Sequence, residues 1–159
     1  MKYQEKEILN RHEDKIPKDL SLEMGSPQDR EILSQLGYVL SLEGRMYDAE
    51  KCYCKAGQYE WEYAANRFEE LGEEAIAKRF WNRLGKHPTG YSDEMSWNSA
   101  MWYEKAGNTP EAIKSYKKAI EAAICNDGWL DMHGDEKVGK EMIPHYEEKI
   151  RELEELLKS

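Results

Sequence analysis

Small and aromatic residues recur at three places in this chain with the same internal spacing. In each copy a small residue is followed by Gly after seven positions, Ala after five more, an aromatic after four more and a small or apolar residue after three more. The three copies are Gly37, Gly44, Ala49, Tyr53, Ala56; Ala65, Gly72, Ala77, Trp81, Leu84; and Ala100, Gly107, Ala112, Tyr116, Ala119. Such a repeat is typical of architectures in which each unit buries its apolar face against the next.

The spacing within each copy predicts two antiparallel helices joined by a short turn. The first small residue permits close approach of neighbouring helices, since a larger side chain would push the axes beyond about 8–10 Å. The glycine falls where the helical pattern breaks, and glycine adopts the left-handed conformation that ends many helices. The alanine then provides the contact from the returning helix, and the aromatic ring fills the space between units.

No segment shows the strict alternation of apolar and polar residues that marks a strand, so the chain is predicted to be all-α. The predicted helices of the repeats cover roughly 26–43, 47–56, 58–71, 73–84, 93–106 and 110–124. Ser26, with Pro27 in the first turn and Asp29 behind it, predicts a capped start for the first of these helices. The two glycines and the proline of residues 85–92 predict the main break in the array.

Three stretches resemble the helix-turn-helix unit of the tetratricopeptide repeat. The third copy, WYEKAGNTPEAIKSYKKAIEAA (Trp102 to Ala123), is closest to the family pattern. YVLSLEGRMYDAEKCYCKAG (Tyr38 to Gly57) and the looser EYAANRFEELGEEAIAKRFWNRLGKHP (Glu62 to Pro88) also resemble it. The resemblance covers roughly residues 28–124 and implies an antiparallel helix-pair solenoid. The first small residues lie 28 and then 35 positions apart, so the first returning helix is predicted to be short and to stop at Gly57.

The rest of the chain is predicted to complete a single domain, 1–159. A polar N-terminal segment, 1–25, holds one short helix near 3–11; the three units follow over 26–124, and a linker and C-terminal helix occupy 125–159. The last helix carries an apolar stripe with helical spacing at Val138, Met142, Tyr146, Ile150, Leu153 and Leu157. Pro144 within it predicts a kink or a helix start. We expect this helix to cap the last unit; a dimer seam is the alternative, although the stripe spans few heptads.

Charge and composition narrow the class of partner. The net charge of −9 and the absence of an evident basic cluster argue against nucleic acid. The sequence shows no apolar run long enough for a membrane span and no secretory leader. Three cysteines without a leader indicate reduced thiols in the cytoplasm, and Cys52 and Cys54 are expected to be packing residues.

The acidic segment 127–136 is the one candidate for metal chemistry. Asp127, Asp131, His133, Asp135 and Glu136 could supply oxygen and nitrogen ligands, but the spacing is not that of an EF-hand loop. No phosphate-binding loop, nucleophile elbow or zinc-protease motif is present in the sequence. The sequence therefore predicts no catalytic residue, no cofactor and no metal, with a metal-dependent enzyme centred on Asp131 and His133 as an alternative.

The resemblance implies a concave groove lined by the first helix of each unit. The positions assigned to a peptide-binding groove are Tyr38, Tyr59, Glu62, Tyr63, Asn66, Glu94, Trp97, Asn98, Met101 and Glu104. Glutamates and aromatics take the place of the Lys, Arg and Asn with which some family members hold a carboxylate, so we expect a basic or basic-apolar peptide as partner. The predicted function is a protein-binding scaffold that is a monomer or weak dimer. Two alternatives stay open: the chain's own terminal segments fill the groove, or the repeats self-associate into a homo-oligomer.

Overall fold

The computed structural model describes residues 2–20, 25–88, 92–125 and 138–159. Within those ranges all regular structure is helical, as the sequence predicts. The helices are α1 (Tyr3–His12), a 3₁₀ turn (Glu13–Lys15), α2 (Pro27–Leu42), α3 (Met46–Ala56), α4 (Gln58–Glu70), α5 (Glu74–Lys86), α6 (Ser92–Lys105), α7 (Thr109–Cys125), α8 (Val138–Glu141) and α9 (Ile143–Lys158). None of the helices in the described part combines the length and apolar character needed to cross a membrane.

The chain divides into two compact units, Met1–Phe80 and Trp81–Ser159. The boundary falls within α5, so unit 1 holds α1 to α4 and most of α5, and unit 2 holds the end of α5 and α6 to α9. Each unit is described separately below. The prediction of a single domain over the whole chain stays a prediction.

The helix ends follow the signals in the sequence. At the start of α2 the Ser26 hydroxyl accepts a hydrogen bond from the Asp29 backbone N–H at 3.2 Å, which confirms the predicted cap. Gly44, Gly72 and Gly107 have φ values of 81°, 77° and 73°, in the left-handed region that favours glycine. Gly57, with φ 106°, ends α3 after 11 residues, so the first returning helix is short as predicted.

The core of unit 1 is an aromatic cluster that begins at a glycine. A Cβ at Gly37 would lie 2.7 Å from the ring of Tyr53, so only glycine leaves room for that ring against α2. Tyr53 meets Phe68 edge-on at 6.1 Å between centroids, and Phe68 stacks on Phe80 at 5.8 Å. All three rings are fully buried, which places Tyr53 of the first copy and the start of the second copy in one core.

The core of unit 2 combines the third copy of the pattern with the C-terminal helix. The buried cluster consists of Ala100, Tyr103, Ala112, Ile113, Tyr116, Ala119, Tyr146, Ile150 and Leu153. Tyr116 of α7 and Tyr146 of α9 contact each other at 5.9 Å between ring centroids. The C-terminal helix therefore packs on the third repeat, as expected of a capping element.

Two details of the C-terminal half differ from the sequence prediction. α5 continues through Gly85 to Lys86, because the Tyr103 ring packs against Gly85, where a Cβ would lie 2.8 Å from the ring. The break predicted at 85–92 therefore starts later. Leu157 is 56% exposed although its spacing places it in the apolar stripe, since α9 extends beyond the buried cluster that ends at Leu153. Pro144 marks a helix start, with α8 ending before it and α9 beginning at Ile143.

The cysteines behave as packing residues where they are buried. Cys52 and Cys54 lie on α3 and are almost inaccessible, whereas Cys125 is exposed at the end of α7. Burial is the main cause that raises the pKa of the Cys52 thiol to about 12. Such a thiol stays protonated at neutral pH, which fits a structural role.

Candidate functional site

Two adjoining hollows occupy one face of unit 1. The first, of about 390 Å³, lies between α1, α2 and α4, and we call it the α1–α2–α4 hollow. Its lining residues are Gln4, Glu5, Ile8, Ser34, Gln35, Tyr38, Val39, Glu60 and Tyr63. The second, the α2–α4 hollow, has a volume of about 340 Å³ and is lined by Pro27, Arg30, Glu31, Ser34, Gln35, Ala56, Tyr59 and Glu60. The two hollows share Ser34, Gln35 and Glu60, so they adjoin, and we call the pair the depression.

Two exposed tyrosines of α4 border this depression. Tyr59 is 78% exposed in the α2–α4 hollow, and Tyr63 is 49% exposed in the α1–α2–α4 hollow. The buried ring of Tyr53 meets Tyr63 edge-on at 6.0 Å, which supports one side of Tyr63 and leaves the other side open. Helical spacing of four residues on α4 explains why the two rings lie on the same face.

The carboxylates of the depression are fixed by hydrogen bonds. Glu60 accepts a hydrogen bond from the Ser34 hydroxyl at 2.8 Å, which ties α4 to α2. Glu5 accepts one from the Lys2 backbone N–H at 2.6 Å, as part of the cap of α1. Both glutamates are partly buried rather than fully exposed. Fixed and partly desolvated carboxylates attract a cation more strongly than solvated ones do.

Tyr38 already has a cationic neighbour within unit 1. The Arg67 guanidinium lies 5.0 Å from the centroid of the Tyr38 ring, and its Nε donates to the Ser41 hydroxyl at 3.3 Å. One contact of this ring is therefore satisfied internally. Of the tyrosines in the α1–α2–α4 hollow, Tyr63 is the more available for a partner.

The depression of unit 1 is less uniformly acidic than the predicted groove residues suggest. Arg30 lies on the wall of the α2–α4 hollow, and its buried Nε has no hydrogen-bond partner there. The predicted groove residues Glu62 and Asn66 are exposed on α4 but line neither hollow. The structure thus brings Tyr38, Tyr59 and Tyr63 to the depression and leaves Glu62 and Asn66 outside it.

Two predicted groove residues of unit 2, Trp97 and Glu104, pack against or pair with groups of the chain itself. Trp97 is partly buried and packs against the cluster that contains Tyr146, Ile150 and Leu153. The Glu104 side chain is 23% exposed, with its Oε2 3.6 Å from the Lys149 Nζ of α9. Glu104 therefore has a cationic partner within unit 2.

The remaining predicted residues of α6 add little open surface. Asn98 and Met101 are partly buried, and Glu94 lies on α6 with its side chain outside the described part of the structure. Burial, followed by the nearby Glu104 carboxylate, raises the pKa of Tyr116 well above its usual range. This shift indicates a desolvated, acidic environment beneath the face of α6.

Several lining residues of unit 1 were missed by sequence reasoning, among them Glu60, Glu5 and Ile8. Glu60 follows Tyr59 directly, but the transferred spacing passed over it, and Glu5 and Ile8 belong to the N-terminal segment that no repeat pattern covers. The predicted helix near 3–11 was the available signal. Its docking beside α2 and α4 depends on tertiary packing, which a repeat pattern does not encode.

Three lysines of α7 lie close together, beside the carboxylates of Glu121 and Glu154. Lys114, Lys117 and Lys118 line a shallow hollow of about 450 Å³ on α7, together with Pro110, Ile113 and Glu121. The three lysines are exposed, and Lys117 lies 3.9 Å from Glu154 of α9. Spacing of three and four residues places them on one side of the helix, which a count of overall charge obscures.

The candidate metal ligands fall outside what the structure shows. Residues 127–136 of the acidic segment lie outside the described ranges, so the arrangement of Asp131 and His133 is not tested. Among the residues that are described, no group of three or more His, Cys, Asp or Glu side chains is arranged to hold a metal ion.

Comparison with known proteins gives one distant relative. The chain is 27% identical over 120 residues to a TPR repeat-containing protein of Dictyostelium discoideum, a match that covers 68% of this chain. It spans about half, 46%, of that relative's length. No model of a known protein family matches the chain, and no solved structure does. Together with the all-helical fold, this similarity supports a tetratricopeptide-like helical repeat protein.

Proposed function

We propose that this protein is a helical-repeat interaction module, built as a tetratricopeptide-like superhelix, that binds a basic or basic-apolar peptide. The relative's name and the repeated helix pairs support an interaction module in general. The preference for a basic peptide is argued from the charges and aromatic residues of the face described above. Binding uses the groove residues predicted from the sequence, with those of unit 1 contributing most.

The observation that carries this proposal is the open depression of unit 1. Tyr59 and Tyr63 expose large aromatic surface beside the fixed carboxylate of Glu60. Exposed aromatic surface next to polar groups is typical of protein-binding sites, where tyrosine often anchors the partner. The overall charge of −9 would also steer a cationic segment toward the protein and raise its association rate.

The residues of α6 have a smaller part in the proposed interaction. Trp97, Asn98 and Met101 are partly buried, so they offer limited contact area, and Glu104 is already paired with Lys149. Glu62 and Asn66 of unit 1 are exposed on α4 outside both hollows, so they would contribute little direct contact. Glu94, the remaining predicted groove residue, is included in the proposed binding site because it lies on α6.

Selection of peptides on the purified full-length protein tests the proposal. A random library of twelve-residue peptides is expected to yield sequences that combine Lys or Arg with apolar residues, and their affinity should fall as salt screens the exposed charges. Fluorescence anisotropy of one selected peptide should show binding weakened by about fivefold or more in Tyr63→Ala, the loss of an anchor of about 1 kcal/mol.

Tyr47→Ala is the matched control for that variant. Tyr47 is an exposed tyrosine of the same unit, on α3, and it lines neither hollow of the depression. Its removal should leave peptide affinity unchanged. Selection of acidic peptides, or equal binding by Tyr63→Ala and the wild type, would contradict the proposal. If sedimentation shows concentration-dependent oligomers and no peptide is selected, the homo-oligomer takes its place.

A further inference from the structure

We infer that the α1–α2–α4 hollow is a pocket for a single cationic side chain, an arginine or lysine of the bound peptide. This inference rests on the proposed function and makes it specific, because it assigns one hollow to one residue of the partner. It also makes the N-terminal helix α1, which lies outside the repeats, a wall of the binding site.

The two carboxylates of the hollow are positioned but not neutralised. Glu5 and Glu60 come from different helices, α1 and α4, and both line the hollow. Each uses its Oε2 as a hydrogen-bond acceptor, toward the Lys2 N–H and the Ser34 hydroxyl respectively. Neither donor carries a side-chain cation into the hollow, so the negative charge remains available for a partner.

The α1–α2–α4 hollow differs from the α2–α4 hollow in the charge of its lining residues. No Lys, Arg or His belongs to the lining of the α1–α2–α4 hollow. The α2–α4 hollow, in contrast, includes Arg30 with its buried and unpartnered Nε. Arg67 lies outside the lining of the first hollow, where its guanidinium is held by the Tyr38 ring at 5.0 Å and by the Ser41 hydroxyl. A like charge therefore opposes a cation more directly in the second hollow, whose lining includes Arg30, than in the first.

Apolar groups complete the chemistry that a long cationic side chain needs. Ile8 and Val39 line the hollow beside the rings of Tyr38 and Tyr63. Arginine and lysine pack their methylene stems on apolar surface while the charged group reaches polar atoms, and the face of a tyrosine ring also attracts the cation. A volume of about 390 Å³ is at the low end of the range for small-ligand sites, consistent with one side chain rather than a folded segment.

Nuclear magnetic resonance with a single-residue ligand tests the pocket directly. N-acetyl-arginine amide is titrated into the isotope-labelled full-length protein, and N-acetyl-citrulline amide, which has nearly the same shape without the charge, is the matched ligand. We expect saturable amide shifts at Glu5, Ile8, Glu60 and Tyr63, and an affinity at least about fivefold weaker for citrulline. Equal binding of the two ligands, or shifts confined to other helices, would overturn the inference.

Variants that remove a carboxylate charge test whether Glu5 and Glu60 bind the cation. Glu5→Gln and Glu60→Gln keep an oxygen acceptor for the Lys2 N–H and for the Ser34 hydroxyl, so the fold is retained, which a thermal melt verifies. The double variant should weaken arginine amide binding by about tenfold, the loss expected for charge-assisted contacts. Glu62→Gln removes the same charge from an exposed residue of α4 outside the hollow and should change affinity less than twofold. A double variant that binds like Glu62→Gln would contradict the inference.

The outcomes for the pocket and for the proposed function can be told apart. If selected peptides depend on Tyr63 but bind the double variant as well as the wild type, the interaction module stands and the cation pocket is wrong. If arginine amide binds at the hollow and is lost in the double variant while no peptide is selected, the pocket stands and the proposed function fails.

Discussion

The predicted groove residues have different surroundings in the two units of this protein. In unit 1 the predicted groove residues border an open depression, with Tyr59 and Tyr63 exposed. In unit 2 Trp97 is partly buried against a core that includes α9, and Glu104 lies 3.6 Å from Lys149 of the same helix. At the matching positions of the second and third repeats, Tyr63 is exposed and Asn98 is partly buried, so position within a repeat does not decide which residues are available to a partner.

The segments that flank the repeats account for this difference. α1 packs beside α2 and adds a wall to the depression while leaving it open. α9 instead packs along α7 and contributes Tyr146, Ile150 and Leu153 to the buried cluster of unit 2. One terminal helix extends a surface for binding, and the other serves mainly to cover apolar residues.

Removal of α9 should have the largest effect on stability. Truncation before Ile143 takes three buried side chains from the unit 2 cluster, and at about 1.5–3 kcal/mol each the loss is roughly 5–9 kcal/mol. Denaturation followed by circular dichroism and sedimentation would measure the destabilisation and any association of the exposed face. Removal of only Leu156–Ser159, which are exposed, is the control and should be close to neutral. A stable, monomeric protein without α9 would show that the helix is not a cap.

Unit 1 should be more sensitive to the loss of one ion pair than unit 2. The fully buried Glu50 accepts two hydrogen bonds from Arg79, at 2.7 and 2.8 Å. Arg79→Met removes this bidentate donor and should cost about 2–3 kcal/mol, below the range for fully buried pairs because Arg79 is half exposed. The control Lys117→Met breaks the exposed 3.9 Å pair with Glu154 and should cost less than about 0.5 kcal/mol. Urea denaturation of both variants checks the ranking, and equal midpoints would contradict it.

Gly37 and Gly85, which lie in helices against aromatic rings, should be comparably intolerant of alanine. Gly37→Ala and Gly85→Ala would place a Cβ 2.7 and 2.8 Å from the rings of Tyr53 and Tyr103, and each should lose about 1–3 kcal/mol despite a gain in helix propensity. Asn66→Ala, at an exposed site of α4, is the control for propensity alone and should be neutral or slightly stabilising. Thermal melts that show stabilisation by either glycine substitution would mean that the corresponding ring does not pack there.

The smallest expected change in stability is for the ion pair between Glu104 and Lys149 of unit 2. Lys149→Met leaves Glu104 without its cationic neighbour and should cost less than about 1 kcal/mol, because both side chains are partly exposed. The difference from wild type should shrink in high salt, and urea denaturation at two salt concentrations would measure it. Lys158→Met, in the fully surface-exposed pair with Glu155, should show no change. A loss above about 2 kcal/mol at Lys149 would indicate a role in the core rather than at its edge.

Sequence patterns predicted the helices better than the site. The left-handed glycines and the cap at Ser26 depend on residues close together in the sequence, so they can be predicted from the sequence without knowledge of tertiary contacts. Gly85 was placed in a loop because glycine usually breaks helices, whereas here it makes room for Tyr103. The exposure of the candidate site residues depends on where the terminal helices α1 and α9 pack, which the repeat pattern does not encode. Glu5 and Ile8 belong to no repeat, and their place beside Tyr63 follows from the docking of α1 alone.

Mapping a selected basic-apolar peptide on the full-length protein tests the central claim, that the open face of unit 1 is the binding surface. Amide chemical shifts measured during a titration report the contact residue by residue. The account predicts the largest shifts on α1, α2 and α4, at Glu5, Tyr38, Glu60 and Tyr63, with smaller changes at Trp97 of α6. Largest shifts on α6 and α9, with the residues around Tyr63 unchanged, would contradict it.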